Sequence, residues 1–175
     1  GDFDATQAVL DCGAVERLGG LLSIARFQKE ACWALSNIAG GAPEQAQKII
    51  ISDVMPRLVE LMHYAPMACQ REAAWAVGNC LERAPTDELR SRVVRVEKYP
   101  AAVAAILALF EELKVDLQEH VLDMLRTTLE MGARDASLSV PASAFGASVA
   151  QTVEDLQENA NPGVQAAARA VARLL

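Results

Sequence analysis

Two short stretches carry the residue types best suited to chemistry. Lys29-Glu30-Ala31-Cys32-Trp33-Ala34-Leu35-Ser36-Asn37 and Arg71-Glu72-Ala73-Ala74-Trp75-Ala76-Val77-Gly78-Asn79 share Glu, Ala, Trp, Ala and Asn in register behind a basic residue. The chain has two tryptophans, and they stand 42 residues apart. A four-residue step on an α-helix turns about 400°, so Trp33 lies over Asn37 on one face and Trp75 over Asn79. Glu30 and Glu72, three residues before each Trp, fall on the same stripe. An Asn side chain can donate to and accept from an extended backbone whatever its sequence. Indole faces give walls for the aliphatic stems of Lys or Arg, and nearby carboxylates select their cationic heads. Ser36 adds a polar group beside Asn37, while Gly78 leaves the equivalent spot bare. A Trp on a helix ordinarily packs in a core. Two Trp-x-x-x-Asn pairs with the same Glu offset are harder to explain by packing, which would accept Leu or Phe. The candidate site is therefore Glu30, Trp33, Ser36, Asn37, Glu72, Trp75 and Asn79, and the ligand an extended basic peptide.

These residues need helices stacked at a fixed interval. A 42-residue spacing falls within the window of about 40–47 for armadillo and HEAT units. Pro43 opens a short helix to Ile51, and Ser52-Asp53 offers cap chemistry for a second helix with Pro56 in its first turn. Val54, Leu58, Leu61 and Met62 recur along that helix at helical spacing. Ala65-Pro66 breaks it, and a longer third helix runs from Cys69 to Ala84. Short, medium and long helices make a three-helix armadillo unit. Upstream, 6–10, 14–22 and 28–39 repeat the scheme; downstream, 85–96, 100–113 and 115–131 repeat it again. Residues 132–144, rich in Ser, Ala and Pro, read as a loop, followed by helices over 145–157 and 162–175. The units are 1–42, 43–84, a divergent 85–133, and 134–175 as loop and capping helices. Ala31, Leu35 and Ile38, with Ala74, Val77 and Leu81, form the packed sides of the two Trp-bearing helices.

Composition agrees with helices closely packed on helices. Hydrophobic residues make up 52% of the chain and aromatics 5%, which suits small apolar side chains between helices better than a β-sandwich. The formal net charge of −7 disfavours nucleic acid and anionic membrane as partners and favours cationic ligands. Cys12, Cys32, Cys69 and Cys80 show no CxxC spacing. Cys32 and Cys80 lie in apolar runs as small hydrophobes, and a reducing intracellular compartment is the simplest reading. His63 and His120 fall in no ligand-spaced cluster and read as surface or boundary residues, so no metal or other cofactor is expected. Gly19-Gly20 and Gly40-Gly41 make no phosphate-cradling loop, no Ser or Cys has an identifiable base partner, and an enzyme is not expected. There is no signal-peptide pattern and no apolar run of membrane-spanning length. The opening Gly-Asp-Phe-Asp, without Met, reads as a piece trimmed from a longer protein.

The two Trp-bearing stretches resemble the third helices of the seventh and eighth repeats of importin alpha, the adaptor for basic nuclear localisation signals. Val153-Glu154-Asp155-Leu156-Gln157-Glu158-Asn159 and the 164–175 helix are similar to the end of its tenth repeat. The resemblance is strong over 9–84 and weak between 85 and 145. It implies an all-α, right-handed superhelical solenoid of armadillo repeats that shuttles between cytoplasm and nucleus. By the same resemblance, Trp33, Asn37, Trp75 and Asn79 make the minor signal-binding ladder, and Glu30, Ser36 and Glu72 contact basic side chains. The ladder ends after two rungs, since 115–131 holds no further Trp-x-x-x-Asn pair. Gly78 stands where a larger polar residue is expected, which weakens that pocket. An export receptor of the importin-beta type is implied at the C-terminal end. Importin beta itself is implied only through an N-terminal segment this sequence does not contain.

Two binding alternatives stand beside this reading. One is an armadillo scaffold of the beta-catenin kind, without localisation-signal binding; its grooves tend to be basic, against the acidic balance here. The other is a purely structural repeat segment with both indoles packed away. An uncovered first repeat would also expose Val9, Leu10 and Leu18, so some self-association through the N-terminal face is expected.

Overall fold

A computed structural model describes residues 3–175. Gly1 and Asp2, at the start of the first expected unit, lie outside the described residues. Helices account for most of the described backbone, and no strand occurs among the described residues. The first three are α1 (Phe3–Asp11), α2 (Ala14–Leu21) and α3 (Gln28–Ala39). Next come α4 (Pro43–Ile50), α5 (Val54–Tyr64) and α6 (Met67–Arg83), then α7 (Asp87–Val94), α8 (Tyr99–Leu107) and α9 (Val115–Arg134). Helices α10 (Ala147–Leu156) and α11 (Pro162–Ala172) end the chain, and 3-10 turns occur at Ala25–Phe27, Phe110–Glu112 and Ala142–Phe145.

The boundaries follow local chemistry. Pro43 occupies the first turn of α4, where its missing N–H has no intrahelical role. The Ser52 hydroxyl, rather than the Asp53 side chain, accepts from the Val54 amide at the start of α5. Pro66, with φ −55° and ψ 144°, caps α6, so that helix starts at Met67, ahead of the expected Cys69. Thr86 Oγ1 accepts from the Leu89 amide, so α7 opens at Asp87 and not at Pro85. Helix α9 runs on to Arg134, past the expected end at Met131. Arg134 reaches Asp87 at 3.1 Å, and the following segment folds back, Ser139 donating to the Thr128 carbonyl at 2.7 Å.

The helices stack in three rows. First helices α1, α4 and α7 pack in succession; α2, α5, α8 and α10 form a second row; α3, α6, α9 and α11 form a third. The core lies chiefly where these rows meet. Leu35, Leu58, Met62, Leu81, Ile106, Leu122 and Leu125 are fully buried there, each worth about 1.5–3 kcal/mol. Ala31, Ile38, Ala74 and Val77 are buried with Leu35 and Leu81, as the packed sides require. Small residues Ala73, Ala74 and Ala76 let α6 lie close to its neighbours on both sides.

A row of glutamines sets the register of the third helices. Gln28 donates to the Leu22 carbonyl at 3.0 Å. Gln70 donates to the carbonyls of Met62 and His63 at 3.2 and 3.0 Å, and Gln118 to that of Phe110 at 2.8 Å. The Gln28 and Gln70 amides satisfy carbonyls at the end of the preceding helix that have no partner within it, and Gln118 adds a second donor to the Phe110 carbonyl, which also accepts from the Leu113 amide. Gln28 and Gln70 stand five residues before Trp33 and Trp75. The same count from Gln118 puts Asp123 at the Trp position, Thr127 at the Asn position and His120 at the Glu position.

Candidate functional site

The third-helix row carries all seven expected residues. Trp33, on α3, is 58% exposed although its helical neighbours Cys32 and Leu35 are fully buried. An indole left that open adds nothing to the core, so the reading with both indoles packed away does not describe Trp33. Glu30 and Asn37 are exposed on the same face. Among the described residues Asn37 makes no side-chain hydrogen bond, which leaves its carbonyl and both N–H groups available. Ser36 differs from expectation: it is 6% exposed and donates its hydroxyl to the Trp33 carbonyl at 2.8 Å. Back-bonding of this kind is habitual for Ser within a helix, and it leaves Ser36 an acceptor only.

On α6, Glu72, Trp75 and Asn79 are half-buried. Asn79 Nδ2 donates to the Ser36 carbonyl at 3.0 Å, which ties α6 to α3 and brings the two rungs onto adjacent helices. One N–H and the carbonyl oxygen of Asn79 remain for another partner. Neither Glu30 nor Glu72 takes part in an ion pair among the described residues, in contrast to Asp87, Asp123 and Glu130. Two carboxylates outside any ion pair among the described residues thus flank the tryptophans.

Two features of this face were not anticipated from sequence. Trp75 is covered by His120 of α9, their ring centroids 4.3 Å apart and their planes at 29°. Burial holds the His120 imidazole below its ordinary pKa, outweighing the opposing pull of Glu82 and Asp123. The boundary position expected for this histidine therefore has a definite occupant beneath it. The signal was available: His120 stands two residues after Gln118, as Glu30 and Glu72 stand two after Gln28 and Gln70. The other feature is charge. A hollow of about 340 Å³ beside Trp75 is lined by Lys29, Arg71 and Lys114 as well as Glu72 and Asp116. Arg71 donates to the Glu112 carbonyl, and its Nε is buried without a partner. The face is thus mixed in charge and not uniformly acidic. No group of three His, Cys, Asp or Glu side chains that could hold a metal ion occurs among the described residues. No helix there is long and apolar enough to cross a membrane.

Known proteins resemble this chain in both sequence and shape. The family model described as Armadillo/beta-catenin-like repeat matches residues 2–40 and 42–81. Importin subunit alpha-6 of Arabidopsis thaliana is 35% identical over 107 residues, covering 59% of this chain and 19% of that protein. Importin subunit alpha-1 of Caenorhabditis elegans is 26% identical over 127 residues, covering 73% and 23%. The chain spans about a fifth of the length of these relatives. A designed armadillo repeat protein, solved in complex with the peptide (KR)4, matches 99% of this chain and 69% of its own at 26% identity and a TM-score of 0.74. An engineered protein matches 99% of this chain and 40% of its own at 25% identity and a TM-score of 0.75. The three helix rows and these likenesses together make the chain an armadillo-repeat solenoid with importin alpha subunits among its relatives.

Proposed function

We propose that the chain is a peptide-binding adaptor whose third-helix face takes up extended basic peptides of the nuclear localisation signal type. The observation that carries this reading is Trp33, 58% exposed on a helix whose neighbouring residues are buried. Glu30 beside it and Glu72 on the next helix have no ion-pair partners among the described residues. Trp33 and Trp75 would bracket Lys or Arg stems, Asn37 and Asn79 would hold the peptide backbone, Glu30 and Glu72 would meet cationic heads, and Ser36 would accept one hydrogen bond. The (KR)4 peptide held by the designed armadillo neighbour is of the same chemical class. The test is calorimetric titration of a Lys/Arg-rich peptide and an acidic peptide of equal length. Saturable heat from the basic peptide alone is expected; equal or stronger binding of the acidic one would contradict the reading. The acidic arm also tests the second reading, an armadillo scaffold without localisation-signal binding, which Lys29, Arg71 and Lys114 beside Trp75 favour.

Wider roles rest on the importin alpha likeness. They comprise shuttling between cytoplasm and nucleus and an export receptor of the importin-beta type at the C-terminal end; the units 1–42, 43–84, 85–133 and 134–175 are proposed on the repeat spacing, and a scaffold without enzyme activity on the residue patterns. No residue is assigned to that receptor contact. Self-association through the N-terminal face is proposed on an apolar hollow lined by Ala8, Val9, Cys12, Ala14 and Arg17, with Val9 52% exposed. Sedimentation at rising concentration should reveal a dimer; a constant monomer mass at high concentration would remove it.

A further inference from the structure

We propose that His120 is a displaceable plug of the Trp75 slot, seated in the space Gly78 leaves, and that a cationic peptide side chain occupies the second rung by driving it off. The inference rests on the peptide-binding reading above and goes beyond it in naming what fills this rung when no peptide is bound.

The seat depends on one missing side chain. A Cβ at position 78 would fall within 3.0 Å of His120 Nε2, Cδ2 and Cε1. Ser36, at the equivalent position on α3, carries that Cβ, and among the described residues no ring stacks on Trp33. The two rungs occupy equivalent positions on adjacent third helices, yet one indole is open and the other is under an imidazole 4.3 Å away.

The hold on the ring is weak on its polar side. His120 Nε2 is buried without a hydrogen-bond partner, a condition that penalises the closed position and is relieved when the ring turns out to water. Desolvation keeps the imidazole neutral more readily than in water, so it is held at Trp75 by ring stacking and by a polar interaction with the Trp75 backbone, without a full charge. A Lys or Arg in the same place adds the stronger attraction of a full charge for the indole face. The ground beneath the ring also suits a cation. A small cavity beside it is lined by Gly78, Glu82, His120, Asp123, Arg126 and Thr127. Asp123 already pairs with Arg126 at 2.9 Å, whereas the ion pair of Glu82 among the described residues is a longer one, with its neighbour Arg83 at 3.5 Å.

The plug is tested by His120→Ala, which deletes it, and Gly78→Ala, which denies it its seat. Peptide affinity is measured by anisotropy with the Trp33-containing chain. Acrylamide quenching is measured on the Trp33→Phe background, where Trp75 is the sole indole, and far-UV circular dichroism checks folding. Both variants should raise Trp75 quenching and tighten a Lys/Arg-rich peptide at least threefold, and the double variant should gain little beyond either. Increased quenching with unchanged or weaker affinity would make His120 a fixed wall and overturn the plug, leaving peptide binding intact. Unchanged quenching in His120→Ala would overturn it as well. Absence of basic-peptide binding in the parent and both variants would end the peptide reading and the plug together. Should Gly78→Ala fail to fold, His120→Ala decides alone.

Discussion

At the scale of single residues, the contrast between Trp33 and Trp75 organises the face. Both were legible as a pair because rare residue types recur at one interval with the same Glu and Asn offsets. Their different surroundings were not legible, because a ring's cover comes from the next helix in the stack. His120 is the clearest case, and it carries a pH dependence. Glu82 of α6 and Asp116, Asp123 and Arg126 of α9 are the charged groups around it, and burial outweighs the carboxylates in lowering its pKa. The unfolded chain, with its histidine near the ordinary value of about 6.5, therefore binds a proton where the folded chain does not. Stability contributed at neutral pH is lost as pH falls through that value, and the loss stops once the folded ring is protonated. Urea unfolding at pH 7.5 and 5.5 should show a larger acid loss for the parent than for His120→Asn. An equal loss in both would exclude His120 as the source.

At the scale of elements, Pro and Gly punctuation and helical spacing placed the helix triplets. The ends moved by a few residues where a cap such as Thr86 or Pro66 decided the first turn. The divergent third unit hid its register. Gln118 follows Gln70 by 48 residues, six more than separate Gln70 from Gln28, with a 3-10 turn at Phe110–Glu112 between α8 and α9. Counting by 42 therefore misplaces His120. The side contact of Cys32 and Cys69, with Sγ atoms 4.0 Å apart across α3 and α6, also needs the stack to be seen. Gln70 is nearly buried and closes α5 onto α6 through two carbonyls. Gln70→Ala leaves those acceptors unsatisfied and should cost about 1–3 kcal/mol, read as a lower urea midpoint at unchanged slope. A midpoint within error of the parent would remove the glutamine row from the forces that fix the stack.

At the scale of the whole molecule, the solenoid sets equivalent faces side by side, so recognition is a sum over rungs and no single rung need bind tightly. The overall charge of −7 assists cationic ligands at long range, while Lys29, Arg71 and Lys114 oppose them locally. The acidic balance was plain in composition; the local cations were not, since only folding gathers residues from α3, α6 and the start of α9 around Trp75. The central claim is that the two indoles recognise a basic peptide. Its most direct test is an anisotropy titration of a labelled Lys/Arg-rich peptide against the parent and the Trp33→Ala/Trp75→Ala double variant, with folding checked by circular dichroism. We predict saturable binding to the parent and a loss of at least tenfold, about 1.4 kcal/mol, in the folded double variant. Undiminished binding to that variant would contradict the account and move recognition elsewhere on the solenoid.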